Sequence, residues 1–348
     1  MAQTWPRTAV IGATGAVGVE FLRLFEERGV RPAELVLLAS PRSAGRRVAT
    51  VAGEVEVRPL TGDALRGVEL ALFSAGGSVS REFGPVAVSC GAVVVDNSSA
   101  FRMDHGTPLV IPEINPEALA PFAGRTRPGI IANPNCSTII LLMALDPLRR
   151  GFGVRRAVVS TYQAVSGAGA SAMDELAEQT REVLAGRRPR PSVFHEVCAF
   201  NLFSHNSKVD QTTGLNVEEQ KMIDETRKIW GDASVEIVPT CVRVPVMRAH
   251  AESVTVTLER AASEADVRRV LSEARGVRIV DDRAANRFPT PLAAAGGDDV
   301  LVGRIRPDPT QAHAEGRYVG WSLFVCGDQL RKGAALNAVQ IAERVVGS

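Results

Sequence analysis

The chain has 348 residues, of which 45% are hydrophobic and 23% are charged, a composition that indicates a globular protein long enough for two packed domains. Forty Lys and Arg residues stand against thirty-nine Asp and Glu residues, so the formal net charge is only +1. Without a basic field to attract nucleic acid or an anionic membrane, small molecules are the expected partners. The five cysteines include no C-x-x-C pair, no secretory signal is recognisable, and no apolar run approaches the roughly 18 residues that span a bilayer. We therefore expect a cytoplasmic protein with reduced thiols and no metal site.

The first 135 residues alternate short apolar runs with helical patterns, which predicts a parallel sheet covered on both faces. The predicted strands are 8–11, 35–39, 69–74, 92–96 and 129–133. Longer strands follow at 154–163, 233–244, 252–260 and 317–327, and they favour an antiparallel sheet. The final stretch, 333–346, has helical periodicity and can dock back on the first domain.

A glycine turn joins the strand at 8–11 to a helical pattern, in the order that a dinucleotide pyrophosphate requires. Gly12, Gly15 and Gly18 lie in GATGAVG, a spacing that departs from G-x-G-x-x-G. Both a nucleotide site and a tight structural turn are consistent with it. The loop after the second strand has no Asp or Glu for the ribose hydroxyls; Ser40, Arg42 and Ser43 stand there instead. They favour the 2′-phosphate of NADP, with a solvated basic loop as the alternative.

Cys136 follows Pro134 and Asn135 in NPNCST and precedes a long apolar helical pattern. A thiol at a helix N-terminus meets free amides and the positive end of the dipole, which favour a thiolate nucleophile and can stabilise an oxyanion. The alternative is a buried structural cysteine. That alternative is the better interpretation of the other four cysteines, which lie inside apolar runs.

Two further segments hold candidate polar residues. His250 lies seven positions after Arg243, and Pro245 between them makes an uninterrupted strand doubtful, so a bend can bring both to one pocket. A hydrogen-bonded structural histidine between strands explains His250 equally well. A helix at 216–230 carries Glu219 and Lys221, whose i, i+2 offset points them about 200° apart. From the residues alone, a charged solvent face is the better explanation. Arg102 follows a strand at its carboxyl end, where open parallel sheets bind ligands.

Ten ordered motifs closely resemble those of bacterial aspartate-semialdehyde dehydrogenases, from about residue 8 to about residue 340. The matching strings are VIGATGAVG, SPRSAG, DNSSAFR, PEIN, ANPNCST, TYQAVSGAG, AFNL, EEQKM with ETRKI, RVPV with its later histidine, and GDQLRKGAALNA. The resemblance implies an α/β fold with an N-terminal Rossmann-like parallel-sheet domain and a mixed α+β catalytic and dimerisation domain. The expected bounds are 1–133 with 328–348 for the first domain and 134–327 for the second.

The resemblance also implies the catalytic roles. Cys136 is similar to the nucleophile that forms an acyl thioester, His250 to the acid/base residue, and Gln163 to the glutamine that orients the acyl group. A protonated His250 would help keep Cys136 ionised.

Substrate-binding roles carry over in the same way. Arg243 would hold the substrate α-carboxylate and Glu219 its ammonium group, while Arg102 and Lys221 bind the phosphate and Asn135 stands beside the nucleophile. Taken with the glycine turn and the loop after the second strand, the expected NADP-binding residues are Gly12, Thr14, Gly15, Ala16, Val17, Ser40, Arg42, Ser43, Ser166, Gly167 and Gln329.

The reaction so implied is reduction of L-aspartyl 4-phosphate by NADPH to L-aspartate 4-semialdehyde, with release of phosphate. It belongs to lysine, threonine, methionine and diaminopimelate synthesis, and the family suggests a homodimer or tetramer. Two alternatives remain open: a paralogous reductase of another acyl phosphate or acyl-CoA, and a non-catalytic dinucleotide-binding relative. The chain departs from the family pattern at Ser204, where proline is frequent, and at Gln329, where asparagine is frequent.

Overall fold

The computed structural model describes residues 3–313 and 316–347. The strands are β1 Gln3–Trp5, β2 Thr8–Ile11, β3 Val30–Pro32, β4 Leu35–Ala39, β5 Arg47–Thr50, β6 Gly53–Pro59, β7 Leu70–Phe73, β8 Val93–Asp96, β9 Gly129–Ala132, β10 Val154–Gln163, β11 Phe203–Ser204, β12 Glu236–Arg243, β13 His250–Ala262, β14 Val277–Ile279, β15 Val300–Pro307 and β16 Tyr318–Gly327. The helices are α1 Ala16–Glu27, α2 Gly77–Ser89, α3 Cys136–Phe152, α4 Ala170–Leu184, α5 Val217–Trp230, α6 Glu264–Ser272, α7 Pro291–Ala294 and α8 Leu336–Val346. Within the described ranges, no helix combines the length and apolar character needed to cross a membrane.

The chain divides into two compact units, one of Met1–Asn135 with Ala334–Ser348 and one of Cys136–Gly333. The second unit ends at Gly333 and not at the expected residue 327, because the segment that follows β16 is hydrogen-bonded to other residues of the second unit. The carboxylate of Asp328 accepts hydrogen bonds from Arg248 (2.6 Å) and from the Gly296 amide (2.6 Å). The amide oxygen of Gln329 accepts one from the Ala249 N–H (2.7 Å).

The first unit contains a seven-stranded sheet in the order β5-β6-β4-β2-β7-β8-β9. All neighbours are parallel except the β5–β6 hairpin. The chain leaves β2 to one side for β4 and later returns to its other side for β7. The carboxyl ends of β2 and β7 therefore form the topological switch point at which sheets of this kind bind ligands.

Apolar side chains cover both faces of this sheet, as continuous apolar strands predict. On one face Val10, Leu37 and Leu72 pack in a core with residues of α1 and α8, and on the other Ile11 and Phe73 pack beneath α2. The C-terminal helix α8 thus completes the N-terminal unit, in agreement with the docking expected from its periodicity.

The second unit is built on a seven-stranded mixed sheet in the order β11-β12-β10-β13-β16-β15-β14. The sequence pattern favoured an antiparallel sheet, and that expectation is wrong at two places. Strands β10 and β12 pair in parallel, as do β14 and β15. The connection from β10 to β12 runs through α4 and α5, and a crossover of that length returns the chain in the same direction.

The two faces of the second sheet differ. Helices α3 and α5 pack on one face, where alternate residues of β10 are buried. Val158, Tyr162 and Val238 lie on the opposite side and are 40%, 38% and 42% exposed. Such a row of apolar side chains in central strands is an uncovered interaction surface.

Candidate active site

Cys136 is the first residue of α3, where the sequence predicted it. Its Sγ lies 3.4 Å from Nε2 of His250. In the segment after β16, a Cβ added to Gly333 would lie 3.0 Å from the Cys136 Cβ. A side chain at position 333 would therefore press on the Cys136 side chain.

His250 is the first residue of β13 and is fully buried. Its Nδ1 accepts the Ala164 backbone N–H at 3.0 Å. Because a backbone amide can only donate, the proton of the neutral ring is on Nε2, facing the sulfur. Burial, and then the charge of Arg243, lower the pKa of His250 to about 3. The Ala164 contact and the lowered pKa favour a neutral His250 beside the resting thiol, in contrast to the protonated ring expected from the resemblance.

The sheet brings three predicted residues into one row. Gln163 ends β10 in register with Arg243 of β12, and its neighbour Tyr162 pairs with Ala251 of β13. Arg243 and His250 consequently flank Gln163, because the chain turns between β12 and β13. The Gln163 amide donates to Ser137 Oγ and to Glu218 Oε1 (3.2 Å).

Arg243 is a buried cation held by neutral groups. One terminal nitrogen donates to the Ala164 carbonyl (2.7 Å), and the other to His205 Nε2 (2.8 Å) and Asn206 Oδ1 (3.3 Å). Its buried Nε has no hydrogen-bond partner. Burial lowers the pKa of Arg243, and the charge of Cys136 is the largest influence that opposes it. A buried guanidinium with a spare donor is suited to bind a carboxylate.

Glu219 does not face the cluster formed by Cys136, His250, Gln163 and Arg243. Its Oε2 accepts the Asn216 N–H (2.9 Å) in a capping box, and its Oε1 accepts the Cys241 N–H (2.9 Å). The carboxylate is thereby occupied in joining α5 to β12. Its predicted contact with a substrate ammonium group conflicts with this geometry.

Glu218, and not Glu219, is the carboxylate that lies beside Gln163 and Lys221. Its Oε2 lies 3.1 Å from Lys221 Nζ, and its Oε1 accepts from Gln163. The i, i+3 spacing of Glu218 and Lys221 was visible in the sequence and indicated a shared helix face. Lys221 is thus in the cluster as predicted, with a different carboxylate beside it.

Three predicted cofactor contacts also lie around His250. Ser166 Oγ accepts from the Gln329 amide, and Gln329 Oε1 accepts the N–H of Ala249. Ala249 has a φ of 72°, a strained conformation for a residue with a Cβ. Gly167 stands against His250 and Arg243, since a Cβ there would lie 3.4 and 3.5 Å from their side chains.

The four other thiols have different surroundings. Burial raises the pKa of Cys198 to about 11 and of Cys326 to about 12, and it raises that of Cys241 further. Cys90 is partly buried in the first unit. In residues 3–313 and 316–347, no group of three or more His, Cys, Asp or Glu side chains is arranged to hold a metal ion.

In the first unit, the glycine turn follows β2 at the switch point. Gly12 has a φ of 81°, and a Cβ there would collide with the Ser74 carbonyl oxygen after β7. A Cβ on Gly18 would collide with the Gly12 carbonyl. Gly15 precedes α1, whose first turn has no side-chain cap and no acidic residue. The turn therefore offers bare backbone and free amides, which fit a pyrophosphate.

The loop after β4 meets this turn. Thr14 Oγ1 donates to Ser43 Oγ at 3.2 Å. Ser40 precedes a 3-10 turn formed by Pro41–Ser43, and Arg42 on that turn is exposed. Ala16 and Val17 begin α1. The predicted ribose-side residues are thus adjacent to the glycine turn.

Arg102 and Asn135 lie near the end of β9. Arg102 donates to the backbone carbonyls of Asn133 (2.9 Å) and Asn97 (2.8 Å). The Asn133 side chain donates to Asn97 Oδ1 and accepts from Asn337 of α8 (2.7 Å). Asn135 is buried directly before Cys136. The asparagine network, which sequence reasoning missed, holds the segment directly before Asn135 and Cys136.

Comparison with known proteins agrees with this architecture. The family model for the semialdehyde dehydrogenase NAD-binding domain matches residues 7–121, and the one for the semialdehyde dehydrogenase dimerisation domain matches residues 145–332. The aspartate-semialdehyde dehydrogenase of Synechocystis is 47% identical over 340 residues, covering 98% of this chain and 97% of that protein. The chain belongs to the aspartate-semialdehyde dehydrogenase family.

Other members of the aspartate-semialdehyde dehydrogenase family are similar throughout. The Bacillus subtilis enzyme is 45% identical, with 96% of each chain covered. The crystal structure of aspartate semialdehyde dehydrogenase II from Vibrio cholerae, complexed with ASA, superposes with a TM-score of 0.91 and 43% identity over 100% of this chain and 99% of that one. The resemblance found in the sequence motifs is confirmed, and the first unit is the NAD-binding domain of an oxidoreductase.

Proposed function

We propose that this protein reduces L-aspartyl 4-phosphate to L-aspartate 4-semialdehyde with NADPH and releases phosphate. The observation that carries the proposal is the cluster in the second unit: a thiol 3.4 Å from a histidine nitrogen, with Gln163, Arg243 and Glu218 beside it. The cluster supplies a nucleophile and separate charges for the two ends of an amino acid.

The chain's own groups account for the covalent steps. The Cys136 thiolate attacks the acyl carbon, a carbon–sulfur bond forms, and phosphate leaves with its electron pair. The nicotinamide, when bound, supplies the hydride that reduces the carbonyl. The Nε2–H of His250 faces the sulfur and can donate a hydrogen bond to the thiohemiacetal oxyanion left by hydride addition, while the ring keeps its proton. Collapse of that adduct frees the aldehyde and restores the thiolate.

The charged side chains of the cluster are the reason for proposing an amino-acid derivative as the substrate. The spare donor of Arg243 suits the α-carboxylate. We assign the ammonium group to Glu218 in place of Glu219, because Glu218 lies beside Gln163 and Lys221. The phosphate is assigned to Lys221, with Arg102 and Asn135 as further predicted contacts. A paralogous reductase whose substrate has no free amine would gain nothing from Glu218.

We propose NADPH over NADH because of the residues in the loop after β4. The strand ends in Ser40 and Arg42 instead of a carboxylate, and a cation and hydroxyls suit a 2′-phosphate. The proposed fit of the dinucleotide itself rests on Gly12 and Gly18, where a Cβ would collide with backbone and would disrupt the tight turn whose amides face the pyrophosphate.

Self-association and cellular location complete the proposal. The uncovered row of Val158, Tyr162 and Val238 is an apolar surface suited to a second copy of the chain, which supports a homodimer. A reduced thiol as nucleophile suits the reducing cytoplasm. Sedimentation of the wild type and of Tyr162→Glu tests this interface, because a charge at position 162 should dissociate the dimer. A Tyr162→Glu protein that remains dimeric would show that this face is not the dimer interface.

A direct assay tests the reaction. Purified protein, phosphate and L-aspartate 4-semialdehyde should reduce NADP, and the rate should depend on all three. Omission of phosphate is the control, because a plain aldehyde oxidation would continue without it. Equal rates with N-acetylglutamate semialdehyde would favour the paralogous reductase instead.

A further inference from the structure

Arg243 contacts a histidine, His205, that the reaction scheme does not use. His205 follows β11, which pairs with the end of β12, and its backbone N–H donates to the Cys241 carbonyl (2.8 Å). Its Nε2 lies 2.8 Å from a terminal nitrogen of Arg243. Since a guanidinium has only donors, Nε2 of His205 accepts this bond.

The other ring nitrogen is then fixed as a donor. His205 Nδ1 lies 3.1 Å from Ser207 Oγ. The same hydroxyl oxygen accepts the backbone N–H of Glu218 at 3.2 Å. One imidazole therefore connects Arg243 to the first turn of α5, which also carries Lys221.

We propose that His205 is a positioning residue for substrate recognition: it holds the Arg243 guanidinium toward the α-carboxylate and couples it to the helix turn that bears Glu218. This inference rests on the proposed function. It assigns His205 no contact with the substrate and no proton transfer.

The neutral ring suits this task. Burial lowers the pKa of His205 to about 4; the nearby Glu218 opposes that shift, whereas Arg243 and Lys221 reinforce it. A cationic ring would lose its acceptor and repel Arg243. At neutral pH the acceptor is therefore retained beside two cations.

The test compares two substitutions on two substrates. His205→Phe keeps a ring but removes both nitrogens, whereas His205→Gln keeps an acceptor and a donor. The substrates are L-aspartate 4-semialdehyde and 3-aminopropanal, which lacks the α-carboxylate. His195→Phe is the matched control, because His195 is exposed and packs on Phe203.

For His205→Phe we expect a loss of about tenfold or more in kcat/KM with aspartate semialdehyde, mainly through KM. The loss with 3-aminopropanal should be less than about threefold, so the preference for the carboxylate falls. His205→Gln should recover most of the loss, and His195→Phe and the KM for NADP should change little. Equal losses on both substrates, or equal behaviour of Phe and Gln, would show that His205 only supports folding.

A structural readout separates this inference from the proposed reaction. In a crystal structure of His205→Phe, Arg243 should leave the Ala164 carbonyl or the first turn of α5 should shift. Ser207→Ala cuts the same connection without altering the ring, and it should shift the turn if His205→Phe does not fold. An unmoved Arg243 and turn overturn the inference, whereas absence of wild-type turnover with aspartate semialdehyde overturns the proposed function alone.

Discussion

The glycine turn of the first unit and the cluster around Cys136 in the second, the two proposed binding regions, depend on opposite physical properties for the recognition of their ligands. The turn depends on missing side chains: a Cβ at Gly12 or Gly18 would collide with backbone. The cluster depends on charged side chains that are buried and held by neutral partners, as Arg243 is held by Ala164 and His205. Changes in the turn should therefore act on cofactor binding, whereas changes in the cluster should act on turnover and on the choice of substrate.

Removal of the nucleophile should have the largest effect. Cys136→Ser should lower turnover on the order of 10³-fold or more while leaving NADP affinity unchanged, because a hydroxyl is a far weaker nucleophile than a thiolate. Steady-state kinetics and cofactor titration measure the two quantities. Cys90→Ser, in the first unit, is the control and should stay active.

Alkylation gives a second check on the same residue. Iodoacetamide should label Cys136 first, since burial raises the pKa of Cys198, Cys241 and Cys326. Peptide mapping that finds another cysteine modified first, with activity lost in step, would make Cys136 structural.

The neighbours Glu218 and Glu219 give the sharpest test inside the cluster. Glu218→Gln should cost about 2–3 kcal/mol of transition-state stabilisation with aspartate semialdehyde, or roughly 30- to 150-fold in kcat/KM. With succinate semialdehyde, which lacks the ammonium group, the same substitution should lower kcat/KM much less.

Glu219→Gln should behave differently. It weakens the capping box and the bond to the Cys241 amide, so we expect about 1–2 kcal/mol less stability in urea unfolding and an unchanged substrate preference. A changed preference in Glu219→Gln with none in Glu218→Gln would reverse the assignment.

In the first unit, Arg42→Ala should weaken the binding of NADPH about tenfold, because it removes one charge-assisted contact of roughly 1.5 kcal/mol. The binding of NADH should change little. Fluorescence titration with both cofactors measures this. Arg46→Ala, on the same exposed stretch, is the matched control. Equal weakening of both cofactors would remove Arg42 from the 2′-phosphate.

The smallest expected effect concerns Glu252, two residues after His250 on β13. Its two carboxyl oxygens are buried without hydrogen-bond partners, and burial raises its pKa well above 4.5. The native state then keeps a proton that the unfolded chain releases, so stability falls as pH rises above about 4.5. Relative to Glu252→Gln, the wild type should lose stability as pH rises from about 5 to about 6, by at most about 1.4 kcal/mol. Parallel urea-unfolding stabilities across that range would contradict this.

Local features could be predicted from the sequence, and features that depend on distant packing could not. The apolar runs, the turn at Gly12 and the position of Cys136 at a helix start are encoded by neighbouring residues. The rotation of α5 is not, because Asn216 and the Cys241 amide of another strand fix it, so the sequence alone does not reveal that Glu218 lies beside Gln163 and that Glu219 bonds to β12. The neutrality of His250 likewise depends on burial and on the Ala164 amide, which no spacing reveals.

The position of α8 has a consequence for synthesis on the ribosome. Leu336, Val339 and Ile341 lie in the core of the N-terminal unit, and Asn337 bonds to the Val110 carbonyl and to Asn133. These contacts cannot form until translation has passed residue 341, after all of the second unit has been made. Domains emerging from the ribosome generally fold as units in order of synthesis. Here the unit that is translated first is completed last, and until then the nascent chain exposes the apolar surface that α8 will cover.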